Sequence, residues 1–149
     1  MTKASRCFLH GLAVGRLRLR KDGWFSYDCG SEAGILTTHA LPVPRKPLED
    51  AGALELVLVL NILSSVRGVV RAALLHAESG QPMLGYSCND SVPLVGHNAL
   101  QIPLRWNSRS RSHVPAEGTS LKLRIEATYT KIFTFQLVWR PSIPQPVVP

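Results

Sequence analysis

Leu121-Lys122-Leu123-Arg124-Ile125-Glu126-Ala127 alternates apolar and charged side chains almost without a break, and that alternation decides the fold class. A period of two puts Leu121, Leu123, Ile125 and Ala127 on one side of an extended chain, with Lys122, Arg124 and Glu126 on the other. Such a strand has one buried and one wet face. Just beyond it, Ile132-Phe133-Thr134-Phe135-Gln136-Leu137-Val138-Trp139 carries no charge and is rich in β-branched and aromatic residues. That composition suits a pleated surface. Phe133, Phe135, Leu137 and Trp139 fall on one face of it, with Ile132, Thr134, Gln136 and Val138 on the other. Residues 128–131 read as a short turn, so the two segments are expected to pair as an antiparallel hairpin.

The same texture extends toward the N-terminus: short apolar stretches, punctuated by Gly, Pro, Ser and Asn, with no sustained helical period. The 11 prolines and 11 glycines are spread along the whole chain and leave little room for helices of ordinary size. Residues 54–63 are long enough for a helix. Their Val and Leu content, with Gly52 just before, favours a central strand buried on both faces. Strands are expected over residues 16–20, 24–28, 35–41, 54–63, 69–76, 102–106, 121–127 and 132–139. Glu78-Ser79-Gly80-Gln81 reads as a turn with Gly80 at its left-handed position. About eight strands at this spacing predict an all-β fold, an antiparallel β-sandwich or jelly roll. The expected organisation is an N-terminal extension over 1–14, the β-sandwich domain over 15–140, and a Pro-rich tail over 141–149 that forms neither strand nor helix.

The 149 residues, 45% of them hydrophobic, suffice for one core. No apolar run is long enough to cross a bilayer; the longest, 53–63, is interrupted by Glu55 and Asn61. No apolar signal segment precedes a cleavage site near the start. This fits a cytoplasmic protein if Met1 is the true start, and equally a domain cut from a longer secreted one. Cys7, Cys29 and Cys88 are odd in number and form no C-x-x-C pair, so free thiols are expected. The net charge of +7 is concentrated in Arg16, Arg18, Arg20 and Lys21 and again in Arg105, Arg109 and Arg111. Arg16, Arg18 and Arg20, with Leu17 and Leu19 between them, match the polar face of a strand. Nucleic acid is therefore not the expected partner, although an arginine-lined anion site remains the third alternative.

An enzyme needs a nucleophile beside a base, paired carboxylates or a metal cluster. The ten acidic residues fall mostly at turns or on outward strand faces, and no two stand out as an acid–base couple. His10, His39, His76, His97 and His113 show no H-x-H or H-E-x-x-H spacing, and no Gly-rich phosphate loop occurs. No catalytic residue, metal site or cofactor is expected.

The most function-like stretch is 85–98, which is dense in short polar side chains. Its Asn89, Asp90, Ser91 and Asn98 can satisfy their own turns, or they can face a polar ligand or a Ca²⁺ ion around Asp90, although one carboxylate rarely makes a calcium site. Among the three tryptophans, Trp106 and Trp139 sit at strand ends in apolar company, whereas Trp24 beside Gly23 is free to stack on a sugar ring. The candidate ligand-binding residues are Trp24, Tyr86, Asn89, Asp90, Asn98 and Arg105.

Three stretches carry a resemblance to a known family. They are Arg20-Lys21-Asp22-Gly23-Trp24-Phe25-Ser26 followed by Gly34-Ile35-Leu36-Thr37-Thr38; residues 68–87 with Arg71, Leu74, Leu75 and Gly80; and Asp90, Pro93 and Gly96 followed by Pro103-Leu104-Arg105-Trp106. Together with Leu121–Ile125 and Lys131–Phe135, they resemble the β-sandwich that follows the catalytic β-propeller in glycoside-hydrolase-like proteins of the invertase and arabinanase type. The likeness spans roughly residues 15–139. It implies a non-catalytic accessory module that packs on a propeller-type catalytic domain and contacts glycan, since in that family the propeller carries the catalytic carboxylates. His97 and His76 stand where acidic residues are common in the family, so no acid-dependent site is carried over. The alternative is a stand-alone protein-interaction or structural domain, suggested by the very apolar segments 54–63 and 132–139.

Overall fold

The computed structural model describes residues 23, 25–47, 54–107 and 115–142. The described residues contain seven strands and no helix: β1 (Tyr27–Cys29), β2 (Gly34–Thr37), β3 (Leu41–Pro42), β4 (Leu54–His76), β5 (Leu94–Val95), β6 (Asn98–Leu104) and β7 (Ser120–Pro141). All pair antiparallel in one hydrogen-bonded network. β4 and β7 lie side by side at its centre, β1, β2 and β3 flank β7, and β5 and β6 flank β4. The all-β antiparallel class expected from the sequence is what forms.

The hairpin between 121–127 and 132–139 does not form. Both segments belong to the 22-residue strand β7, and each pairs with β4 instead. Segments 54–63 and 69–76 likewise fuse into the 23-residue β4. Gln136 lies opposite Val59 and Leu123 opposite Leu74, so one pair of strands runs the length of the described sheet. The supposed turn at 128–131 contains no Gly, Pro, Asn or Asp to reverse the chain.

What interrupts the two strands is a pair of irregularities. Between Ser64↔Thr130 and Val69↔Thr128, residues 65–68 of β4 lie against Tyr129 alone, and Tyr129 adopts a φ of 45°. Between Asn61↔Thr134 and Ile62↔Ile132, Phe133 is an extra residue on β7, a β-bulge. A bulge switches the side that later residues face. This corrects the expected faces: Ile132 shares the core with Phe135, Leu137 and Trp139, and Phe133 is the residue left over.

The irregularities divide the sheet into two halves whose inner faces fill one core. Leu56, Leu58, Leu60 and Ile62 join Val70, Ala72 and Leu74, with Leu121, Leu123 and Ile125, in a single cluster. Each fully buried aliphatic side chain contributes on the order of 1.5–3 kcal/mol. Two tryptophans tie the halves together. Leu104 pairs with Leu58 in one half, while the Trp106 indole, two residues on, donates to the Ala72 carbonyl in the other at 2.9 Å. The Trp139 indole on β7 donates to the Pro44 carbonyl, just beyond β3, at 2.8 Å. Faces of two half-sheets closed on one core are consistent with a sandwich.

Other expectations meet the structure unevenly. Within the expected strand 54–63, residues 56–62 are buried on both faces, as read from their composition, whereas Leu63 is 38% exposed. Gly80 takes a φ of 68° in the turn after β4. The expected strand 35–41 is two short strands, the described part of 24–28 contributes to β1 at 27–29, and the expected strand 102–106 starts earlier and ends at Leu104 as β6. Within the polar stretch 85–98, where no strand is expected, Leu94–Val95 forms β5, held against Val69 and Val70. Pro141 is not the start of a free tail but the last residue of β7, opposite Leu54. The expected strand 16–20 lies outside the described residues.

Candidate functional site

The level of Asn61 on β4 is unusual because both neighbouring strands bulge there. On one side Leu60 pairs with Ile102 and Ile62 with Ala99, so Leu100 and Gln101 oppose a single residue. On the other side Phe133 is the surplus residue. Two bulges flanking one position spread the side chains around it and leave a depression of about 390 Å³ on the sheet face away from the core. Asn61 and Val59 form its floor, at 2% and 9% exposure. Exposed Gln101 and Leu100 rise from β6, and exposed Thr134 and Gln136 from β7.

Its lining is chemically uniform. Three amides and a hydroxyl supply hydrogen-bond donors and acceptors on an apolar base, with no charged side chain among the lining residues. The volume lies in the range of small-molecule sites. Reading the sequence for chemistry missed this site, because Asn61, Gln101, Thr134 and Gln136 are scattered and individually ordinary. The signal available was Asn61, a lone amide inside an apolar strand.

Among the described residues singled out from the sequence, Tyr86, Asn89 and Asp90 lie in a segment that runs alongside Arg105, where Ser91 forms a β-bridge with Trp106 and the Val92 N–H donates to the Arg105 carbonyl at 2.8 Å. Asn98, by contrast, lies opposite Leu63. Tyr86 is buried, its ring packed edge-on against Trp106 with centroids 5.4 Å apart. Asp90 accepts from the backbone N–H and hydroxyl of Ser87 at 3.0 and 2.6 Å. Its own carbonyl accepts from the Asn107 N–H at 2.7 Å. The Ser91 hydroxyl donates to the Cys88 carbonyl and accepts from the Ala72 N–H. Segment 85–91 thus spends these polar groups on its own turns and on β4. Arg105 is ion-paired with Glu55. Asn89 and Asn98 are exposed. Trp24 lies outside the described residues, as do Cys7, Arg16, Arg18, Arg20, Lys21, Arg109, Arg111, His10 and His113. Among the described residues no group of three His, Cys, Asp or Glu is placed to hold a metal ion, and no helix is long and apolar enough to cross a membrane.

A second polar cluster sits under segment 81–90. Arg71 and Glu126 are cross-strand partners, Arg124 pairs with Glu126 at 2.9 Å, and the Arg71 guanidinium donates to the Cys88 carbonyl at 3.4 Å. Burial, then the charge of Glu126 and a hydrogen bond to it, push the Cys88 thiol from 9.0 to about 11, against the opposing pull of Arg124 and Arg71. Burial, aided by Asp28, also raises Cys29. Both thiols are free and are held protonated near neutral pH, so neither is an activated nucleophile.

Comparison with protein-family models, with curated proteins and with solved structures finds no match to this chain.

Proposed function

We propose that this chain is a non-catalytic accessory β module of a carbohydrate-active protein, packing on a catalytic domain and contacting glycan. The observation that carries the reading is the depression at Asn61, where amide and hydroxyl groups stand on an apolar floor. A sugar offers that same mixture of hydroxyl groups and C–H surface. The resemblance to the β-sandwich behind glycoside-hydrolase propellers points the same way. A glycan array probed with the purified chain at physiological salt tests it: reproducible retention of one glycan class supports the reading, and retention of none removes the glycan contact. Co-purification with a propeller-type domain from the same genomic neighbourhood tests the packing role.

A protein-interaction domain without sugar binding is the second reading. Val66 and Phe25, at 87% and 88% exposure, favour it, because large apolar side chains presented to water suit a protein partner. Concentration-dependent self-association in sedimentation velocity, with an empty glycan array, selects this reading over the first.

A further inference from the structure

We propose that the depression at Asn61 recognises an uncharged sugar, by hydrogen bonds from Gln101, Thr134 and Gln136, without a metal ion and without charge. This rests on the glycan-contact reading above and names the class of glycan.

The argument begins with the polar groups. An amide donates through its NH₂ and accepts through its carbonyl, and a threonine hydroxyl does both. A sugar hydroxyl likewise donates and accepts, so the two sets match without a net charge on either side. A carboxylate or sulfate in the same place would exchange its water for neutral donors only. Uncompensated burial of a charge is costly. No charged side chain lines the depression: such cations along its strands as Lys131, Arg105 and Arg140 all lie outside the lining, with Lys131 paired to Asp28 at 2.8 Å and Arg105 to Glu55. The lining itself therefore offers an acidic glycan no counter-charge.

The apolar part fits the same ligand. Val59 closes the floor and Leu100, at 48% exposure, forms one wall, giving the C–H face of a sugar ring a surface from which water is displaced. The backbone supplies rigidity. Asn61 lies buried in the central strand, and both bulges are pinned by ladder pairs immediately above and below. A pre-formed site spends little free energy on ordering when a ligand arrives. Bulges that re-aim side chains beside a site are a recurrent use of that irregularity.

The test is isothermal titration of the full chain with cello-, xylo- and fructo-oligosaccharides beside oligogalacturonate, repeated with Gln101→Ala, Gln136→Ala and Thr134→Val. All three side chains are exposed, so the variants should fold; circular dichroism checks this. A neutral hydrogen bond contributes about 0.5–1.5 kcal/mol, so each variant should weaken binding by about 2- to 13-fold. Affinity should be unmoved by added salt or EDTA. A preference for the uronate oligomer, or affinity that falls with salt or EDTA, overturns the inference. Neutral-sugar binding that ignores all three substitutions also overturns it, while the glycan-contact reading stands. Binding of no oligosaccharide at all overturns both.

Discussion

Gly68 sits in the irregularity of β4 between the two half-sheets, and replacing it with alanine is the sharpest test of the fold. A Cβ at this position would lie 2.7 Å from the Tyr129 carbonyl oxygen and 2.8 Å from both the Cβ and Oγ of Ser64. The first contact is to backbone and the second to a side-chain root, so neither can swing away. The excursion at 65–68 would have to lift. That movement strains the bond from the Gly96 N–H to the Gly68 carbonyl, 3.0 Å long, and the one from the Ser64 N–H to the His97 carbonyl, 2.9 Å. Overpacking of this kind costs about 1–3 kcal/mol. At roughly 2–4 °C per kcal/mol for a chain of this size, Gly68→Ala should lower Tm by roughly 2–12 °C. Urea unfolding followed by tryptophan fluorescence should show a lower midpoint at unchanged slope. Gly30→Ala is the control: nothing lies within 4 Å of its added Cβ, so it should shift stability by less than about 0.5 kcal/mol. Gly68→Ala as stable as the parent within that margin would refute the packing of residues 65–68 over Tyr129, and with it the continuous β4–β7 pairing.

Other substitutions probe separate links. Trp106→Phe leaves the Ala72 carbonyl without its buried donor and should cost about 1–3 kcal/mol by urea denaturation, a loss absent if the indole bond is not made. Leu74→Ala, fully buried in the common core, should cost about 2–5 kcal/mol on the same scale, and a change below 1 kcal/mol would contradict its burial. The Cys88 thiol binds its proton more tightly when folded, so its contribution is whole below pH 9.0 and is lost as pH rises toward about 11. The parent should therefore lose stability relative to Cys88→Ala over that window, and parallel curves would exclude the burial that raises this thiol. Lys131→Gln removes an exposed ion pair to Asp28 and should change stability by less than about 1 kcal/mol, with the difference shrinking further in added salt.

The class of structure was legible in local sequence pattern alone. Alternation over 121–127 and the Val- and Leu-rich run at 54–63 are local properties, readable because a strand turns its side chains to opposite faces every residue. Gly80 was legible for a similar reason, since a left-handed backbone position favours a residue without a side chain. Strand pairing, by contrast, emerged from contacts between distant segments. Whether 121–127 folds back on 132–139 or runs straight into it depends on what lies alongside, and β4 supplies a partner for both segments at once. The candidate site belongs to the same category. Asn61, Gln101, Thr134 and Gln136 come from three strands, and the bulges that open the space between them are differences in residue count between neighbours. A difference in count has no signature in either strand alone; it exists once the strands are in register.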